Sequence, residues 1–422
     1  MEGYDIVVIG AGAAGLLAAG RAGESGARVL VLERNERPGR KLLITGKGHC
    51  NITNEAPKSE FQKKIFPNPR FLRHAFATFF ADDMVALLNR EGLETFVDRG
   101  DRIFPVSRLA ADVVNTLVRW VQKQKVEFRY GQRVEHLIIR DGAVCGVSLH
   151  QGSKLVEIAS GKVIVATGGK SYPTTGSTGD GYKLAETAGH SIVPLHQALV
   201  PLETAGDTAQ KMQGLSLKNV KASVWIDGKK VTDEFGEMLF THFGLSGPII
   251  LSLSRGVVAA INARRHIEIS VDLKPALDEA TLDKRLLRDL DSQGRKKIGN
   301  LLRLWLPALM VPVFMELLEL DPEMEGHQLP AKTRKKILLL LKDLRFKITG
   351  CRSFKEAIIT AGGVNTAEVD PTTMESKLTK NLYFAGEVLD LDADTGGYNL
   401  QIAWSTGWLA GESAAASVGS GQ

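Results

Sequence analysis

Gly10, Gly12 and Gly15 stand in the spacing G-x-G-x-x-G, and an acid, Glu33, follows 18 residues after the last of them. Residues of these types at this spacing can hold a pyrophosphate and a ribose. The first glycine permits a tight turn, the second lets phosphate approach the backbone, and the third lets a helix pack closely on a strand. The phosphates then meet the positive end of that helix, while Glu33 accepts hydrogen bonds from ribose hydroxyls. A lone glycine pattern also arises from packing, so the flanking elements decide. Residues 5–9 read as an apolar strand, residues 13–24 as a helix and residues 28–33 as a second strand. Such a βαβ unit predicts binding of an adenine dinucleotide.

Two later segments say which dinucleotide. Residues 163–169 (Val-Ile-Val-Ala-Thr-Gly-Gly) and 382–387 (Leu-Tyr-Phe-Ala-Gly-Glu) are apolar strands ending in glycine turns, and Thr395-Gly396-Gly397-Tyr398-Asn399-Leu400 leads into a final helix. Alone, either strand is ordinary core. Together, behind the first unit, they resemble the three-part FAD pattern of two-dinucleotide-fold flavoproteins, which a nicotinamide dehydrogenase does not need. A helix N-terminus after Gly397 would face the flavin pyrimidine edge and favour the anionic reduced form. The expected cofactor is FAD. Its contacts are expected at Gly10, Gly12, Ala13, Ala14, Gly15, Glu33 and Arg34, then at Val134, Ala166, Thr167 and Gly168. Gly386, Glu387, Gly397, Tyr398, Asn399 and Leu400 complete the set.

The elements that position these residues fit an α/β chain. With 422 residues and 44% hydrophobic content, two or three domains are expected. The first residues form a core strand, so no signal peptide is expected. No apolar run reaches the ~18 residues of a membrane span, the longest (248–261) being broken by Arg255. Cys50, Cys145 and Cys351 are too scattered for a disulfide framework or a zinc motif, so no metal is expected and the protein reads as cytoplasmic. Strands near 126–130, 134–140 and 144–150 fit a meander before the Thr-Gly turn. Residues 191–275 alternate as short strands, with Asp227-Gly228 as a hairpin turn. Residues 276–345 are helical and basic, punctuated by prolines, and the tail after Glu412 reads as frayed. The predicted architecture is a discontinuous Rossmann-like FAD-binding domain (1–190 and 370–422) with an inserted β-barrel-like domain (191–275 and 346–369). The barrel itself carries a helical insertion (276–345).

The loop after the second strand runs Gly39-Arg40-Lys41, then Gly46-Lys47-Gly48-His49-Cys50-Asn51-Ile52-Thr53-Asn54. Further on come Arg102-Ile103-Phe104-Pro105, Thr175-Gly176-Ser177-Thr178-Gly179-Asp180-Gly181-Tyr182, Thr241-His242-Phe243-Gly244-Leu245-Ser246-Gly247-Pro248 and Asp394–Gln401. In these stretches, nearly end to end, the chain resembles the BaiN/RdsA-type family of bacterial NAD(P)/FAD-dependent oxidoreductases, which includes aminoacetone oxidase-like flavoproteins. His49 departs from the pattern, since family members usually carry Arg before the cysteine.

Several residues here could do chemistry. Arg40 and Lys41 either neutralise pyrophosphate and lie along the flavin or form a solvated charged loop. Asn51 and Thr53 either donate to flavin or substrate oxygens or hold their own turn. Cys50 is the candidate general acid, protonating one carbon while hydride reaches its neighbour; its structural alternative is a small buried residue. His49 shares that work or caps the loop. Arg102 and His242 are further catalytic candidates, His242 lying in a glycine-rich turn. Asp180 is expected to cap the following helix, and Trp404 and Trp408 to be core.

The resemblance implies three activities: dihydrouridine formation in large-subunit ribosomal RNA, enone reduction on bile-acid rings, and oxidation of aminoacetone by O₂. The first two share hydride delivery to an alkene conjugated to a carbonyl, with NADH or NADPH as transient reductant. The reading is therefore a flavin-dependent reductase. A non-catalytic alternative has FAD merely stabilising an RNA-binding or assembly factor. The formal charge is +5, and residues 274–347 hold 15 Lys and Arg against 11 Asp and Glu. Such clusters can follow a phosphate backbone or be solvated helix faces.

Overall fold

The computed structural model describes residues 3–416, which divide into two units: residues 3–197 with 357–416, and residues 198–356. In the first unit, Gly3–Ile9, helix Ala13–Glu24 and Val29–Glu33 form the βαβ unit, with Ile6 to Ile9 paired in parallel to Val29 to Leu32. A seven-stranded sheet grows around it. All five residues of Val29–Glu33 are buried, as a strand covered on both faces requires. On one side lies Glu127–Tyr130, parallel to Val29–Glu33. On the other lies the long strand Lys154–Val165, whose last residues pair with the first strand and with Leu382–Phe384.

That arrangement corrects the expected meander. Glu127–Tyr130 belongs to the parallel sheet, and the meander is Val134–Arg140, Ala143–Gln151 and Lys154–Val165. The last helix is longer than expected. Tyr398–Ala416 continues past Glu412, so the tail is helical to Ala416, and the residues after it lie outside those described. It crosses the first helix closely. A methyl group at Gly407 would lie 2.3 Å from the Ala14 carbonyl oxygen, and one at Gly411 would lie 2.2 Å from that of Ala18. Trp404 is fully buried, and Trp408 stacks on Phe79 at 4.4 Å, so both tryptophans are packing residues.

The second unit is a closed six-stranded barrel with helices sharing its core. Leu202–Thr204, Gly244–Ser246, Lys229–Thr241, Ser216–Ile226, Ile267–Asp272 and Leu344–Cys351 follow around the ring, and the last pairs with the first. Asp227 and Gly228 both have positive φ (48° and 75°), as a two-residue hairpin turn demands. Residues 248–261 form most of a helix, Pro248–Asn262, with Ile249, Ile250, Leu253 and Val257 buried. Leu286, Leu301, Phe314 and Ile337 of the helical stretch join the same core as Val224, Ile269 and Phe346 of the barrel. The border on the return of the chain falls at Ala357, not 370, because Ile359–Val364 pairs with Ile192–Ala198. Among the described residues, no helix is long and apolar enough to cross a membrane, and no His, Cys, Asp or Glu cluster could hold a metal ion.

Candidate functional site

Gly10 ends the first strand at φ +100°, and a methyl group there would lie 2.7 Å from the Ala166 carbonyl oxygen. At Gly15 it would lie 1.9 Å from the Gly10 carbonyl oxygen, so only glycine lets the helix start on the strand end. Gly12 is different: nothing stands within 4 Å of the position a side chain would take. The helix beginning at Ala13 has no side-chain cap and no acid in its first turn. Its positive end, with the N–H groups a first turn leaves unpaired, thus meets open space. This is the cradle a pyrophosphate needs.

Glu33 is only 6% exposed. Its Oε2 accepts from Ala11 N–H at 2.8 Å, and its Oε1 from Asn35 N–H at 2.8 Å and Asn35 Nδ2 at 2.6 Å. The acid therefore fastens the glycine turn. Arg34 turns away from it and donates to Asp180 Oδ2 at 2.8 Å and to the Thr178 hydroxyl. Arg133 grips the same carboxylate with two bonds of 2.9 Å. This corrects the expected cap. Gly179, in a left-handed conformation, is the N-cap, and Asp180 is a bracket for two arginines. Burial would raise the Asp180 pKa, but Arg133 and Arg34 outweigh it and hold the carboxyl below its usual range. Val134 is buried at the start of its strand.

At the next turn, Ala166 N–H donates to the Ile9 carbonyl at 2.9 Å, Thr167 follows, and Gly168 takes φ +72°. Gly386 (φ +77°) comes so near the first helix that a methyl group would lie 2.8 Å from Ala14 Cβ. Glu387 beside it is engaged. Its Oε2 accepts from Lys41 Nζ at 2.6 Å, and its Oε1 from the Ser171 hydroxyl and Thr360 N–H, each at 2.9 Å. The Lys41 ammonium is thereby paired, also donating to Ser171 Oγ at 2.7 Å. It is not the free cation expected for a pyrophosphate. Arg40 is exposed and donates to Asn35 Oδ1 at 3.0 Å.

The loop from Gly46 to Thr53 is bent by left-handed residues, including Lys47 (φ 57°) and Cys50 (φ 55°). Cys50 has no exposure, and burial pushes its thiol up to about 12, against a lesser opposing hydrogen bond with Thr45. With no open surface, the sulfur fits the packing alternative. His49 is exposed and its Nδ1–H donates to the Arg108 carbonyl at 2.7 Å. Arg102 donates to the Arg99 carbonyl at 2.9 Å. Thr53 is buried and its hydroxyl donates to Gln401 Oε1 at 2.7 Å, so it holds the last helix instead of a ligand.

Gly397 (φ +99°) lies against the Thr53 backbone, where a methyl group would meet the carbonyl at 2.5 Å. Asn399 spends its amide on the loop before it, accepting from Ala393 N–H at 2.8 Å and donating to the Ala393 carbonyl at 2.7 Å. Tyr398 packs edge-on against Phe61 at 4.7 Å, with its phenol raised by burial, and Leu400 rests on the first unit's core. His242 belongs to the second unit, in the turn between Lys229–Thr241 and Gly244–Ser246, edge-on to Phe243 at 4.9 Å.

Two acceptors test whether the site suits a dinucleotide cofactor. Asn51 Oδ1 and Gln132 Oε1 are buried and have no donor among the described residues. Asn51 follows Cys50, and Gln132 N–H donates to the Glu33 carbonyl at 2.9 Å. Buried acceptors are expensive to leave unmade, and an N–H-bearing ring at each place would supply the partner. With the open cradle at Gly12, the donor set fits FAD.

Residues 4–413 match the family described as HI0933-like protein Rossmann domain. The chain belongs to that family. A 3-dehydro-bile acid delta(4,6)-reductase of Clostridium scindens is 32% identical over 412 residues, covering 97% of this chain and 98% of that protein. A ribosomal RNA dihydrouridine synthase of Escherichia coli is 32% identical over 408 residues, with 97% of each covered. Among solved structures, a quinol-fumarate reductase with menaquinol aligns at TM-score 0.55 and 16% identity, covering 100% of this chain and 72% of that one. A 3-ketosteroid delta1-dehydrogenase of Sterolibacterium denitrificans aligns at 0.53 and 15%, covering 99% and 100%. At these identities the structures speak for the fold. This HI0933-like chain is an FAD-dependent oxidoreductase by family, with a Rossmann-like FAD-binding domain.

Asn35, Gln132, Ser171 and Gln401 were missed in the sequence. Asn35 alone had a signal, standing two residues past the expected ribose acid; the others are placed by distant strands.

Proposed function

We propose that the protein is an NAD(P)H-dependent reductase of a carbon–carbon double bond conjugated to a carbonyl, with uridine in large-subunit ribosomal RNA as its substrate. One observation carries the reaction class. Two relatives equally similar to this chain, covered almost end to end, have names that describe reduction of such a bond on unrelated scaffolds. When bound, FAD supplies the two-electron relay between nicotinamide and alkene. The balance is a hydride from NAD(P)H to one alkene carbon and a proton from solvent to its neighbour, giving a single bond and NAD(P)⁺.

In this reading the chain's residues bind and orient. The helix at Ala13 and the glycine turn hold the pyrophosphate, Glu33 the ribose, and Asn51 an N–H edge of the flavin. Cys50 stays outside the proton path, while the exposed His49 ring replaces it as the candidate donor. The sequence contains a single G-x-G-x-x-G, so nicotinamide and substrate use one flavin face in turn. RNA is favoured over a steroid by the excess of cations in residues 274–347, and it implies a cytoplasmic protein.

The test is anaerobic. The holoprotein is mixed with NADH and then NADPH while flavin absorbance is followed, and rRNA lacking the modification is added. Bleaching by one nucleotide, recovery on adding RNA and dihydrouridine in the product are expected. No bleaching by either nucleotide would refute the reductase, and bleaching without dihydrouridine would refute the RNA substrate.

A further inference from the structure

The helix Ala331–Lys342 is built against its own stability. Lys332, Lys335 and Lys336 are exposed and lie at i, i+3 and i+4, on one face of its first two turns. Like charges at these spacings oppose a helix, and cations are unfavourable at a helix N-terminus. No acid stands in the first turn and Pro330 supplies no side-chain cap. None of the three lysines has an ion-pair partner among the described residues, unlike Lys211 with Glu316, Lys297 with Glu323 or Arg334 with Asp283. A cluster that breaks local rules without a compensating partner in the fold marks a surface kept for another molecule.

Its neighbourhood continues the charge. Backbone bonds of 3.0 Å (Gly326 N–H to Lys296 carbonyl) and 2.9 Å (His327 N–H to Gly294 carbonyl) fasten the loop of Arg295 to the segment that enters this helix. Arg295 is exposed and also lacks an acid partner among the described residues. On the packed helix Glu279–Gln293, an open groove of about 440 Å³ is lined by Leu277, Thr281, Lys284, Arg285 and Arg288, with Asp289 answering only the two arginines. Aromatic residues exposed for base stacking are absent from this groove lining. The chemistry is therefore suited to a sugar-phosphate backbone, not to bases.

We propose that the face carrying Lys332, Lys335 and Lys336, with Arg295 beside it, docks the phosphate backbone of RNA. The inference rests on the RNA reading of the substrate. It assigns the docking surface to the helical part of the second unit, a role separate from base recognition at the flavin.

The experiment measures binding of a fluorescein-labelled, uridine-rich RNA hairpin to holoprotein by anisotropy across a salt series. Lys332→Glu/Lys335→Glu/Lys336→Glu should weaken binding about tenfold or more and reduce the salt slope by about two to three, each lost phosphate contact accounting for ~0.7–0.9. Nicotinamide-driven flavin bleaching should be unchanged, which verifies the fold. A control, Lys218→Glu/Lys229→Glu, reverses exposed lysines of the same unit and should leave the slope nearly intact. If the wild type binds RNA and the triple variant binds with the same slope, the docking surface is overturned while the RNA substrate stands. If the wild type binds no RNA, or binds only anionic lipid vesicles, the RNA reading fails and the docking surface with it.

Discussion

Glu33→Gln separates two jobs that one acid could hold. In the structure Glu33 Oε2 faces Ala11 N–H, and Oε1 faces two donors of Asn35. A glutamine amide must present an N–H to one side or the other. The better choice puts it against Ala11 alone, loses that bond and turns the other two into neutral ones. A buried hydrogen bond to a charged group contributes ~1.5–3 kcal/mol, so the loss should be about that size. Because the contacts are internal to the chain, the loss should appear in the flavin-free protein. Its first unit should melt roughly 3–12 °C lower, at ~2–4 °C per kcal/mol for a domain of this size. FAD affinity should also fall, by about 10- to 150-fold if the distorted glycine turn transmits the same free energy. Differential scanning calorimetry of apoprotein and fluorescence titration with FAD measure the two. An unchanged apoprotein with weakened FAD binding would refute the structural role, leaving ribose recognition alone. Unchanged values in both would refute the hydrogen-bond argument altogether.

Cys50→Ala should leave flavin reduction and transfer to substrate within about twofold, while lowering stability by ~1 kcal/mol for a small buried group. Stopped-flow kinetics and urea unfolding decide it, and a large loss in the transfer step alone would restore the thiol to the mechanism. His190 is buried, its Nε2 2.7 Å from Ser376 Oγ, and its Nδ1 3.2 Å from Glu368 without hydrogen-bond geometry. Burial lowers its pKa, only partly opposed by Glu368. The unfolded chain therefore takes up this proton first, and the contribution is present above the unfolded value of ~6.5 and lost as pH falls through the lower folded one. Urea midpoints between pH 7.5 and 5 should fall more steeply in wild type than in His190→Gln; equal slopes would refute it.

The βαβ unit and its glycine turn were legible in the sequence because their signals are local. Gly10 and Gly15 are required by atoms a few residues away or by a backbone angle, and the helix Ala13–Glu24 follows from short-range periodicity. The hairpin turn at Asp227-Gly228 is local in the same sense. Glu127–Tyr130 was misassigned because an edge strand of four half-buried residues carries no mark of whether its partner is parallel or antiparallel. The helical segment 276–345 looked separable in sequence, yet its leucines close the barrel core, which only packing can reveal.

What the residues do in the site was decided by tertiary structure. Charge and type made Lys41, Arg34 and Asp180 look available for cofactor or cap. Their partners are Glu387, Asp180 and Arg133, which lie 346, 146 and 47 positions away. Cys50 has the same thiol in the sequence as in the fold, but its complete enclosure makes it a poor acid. A residue's type fixes what chemistry it could perform, and spacing fixes which backbone can form around it. Its pKa, its free lone pairs and its access to a ligand depend on neighbours that meet only when distant strands and helices pack.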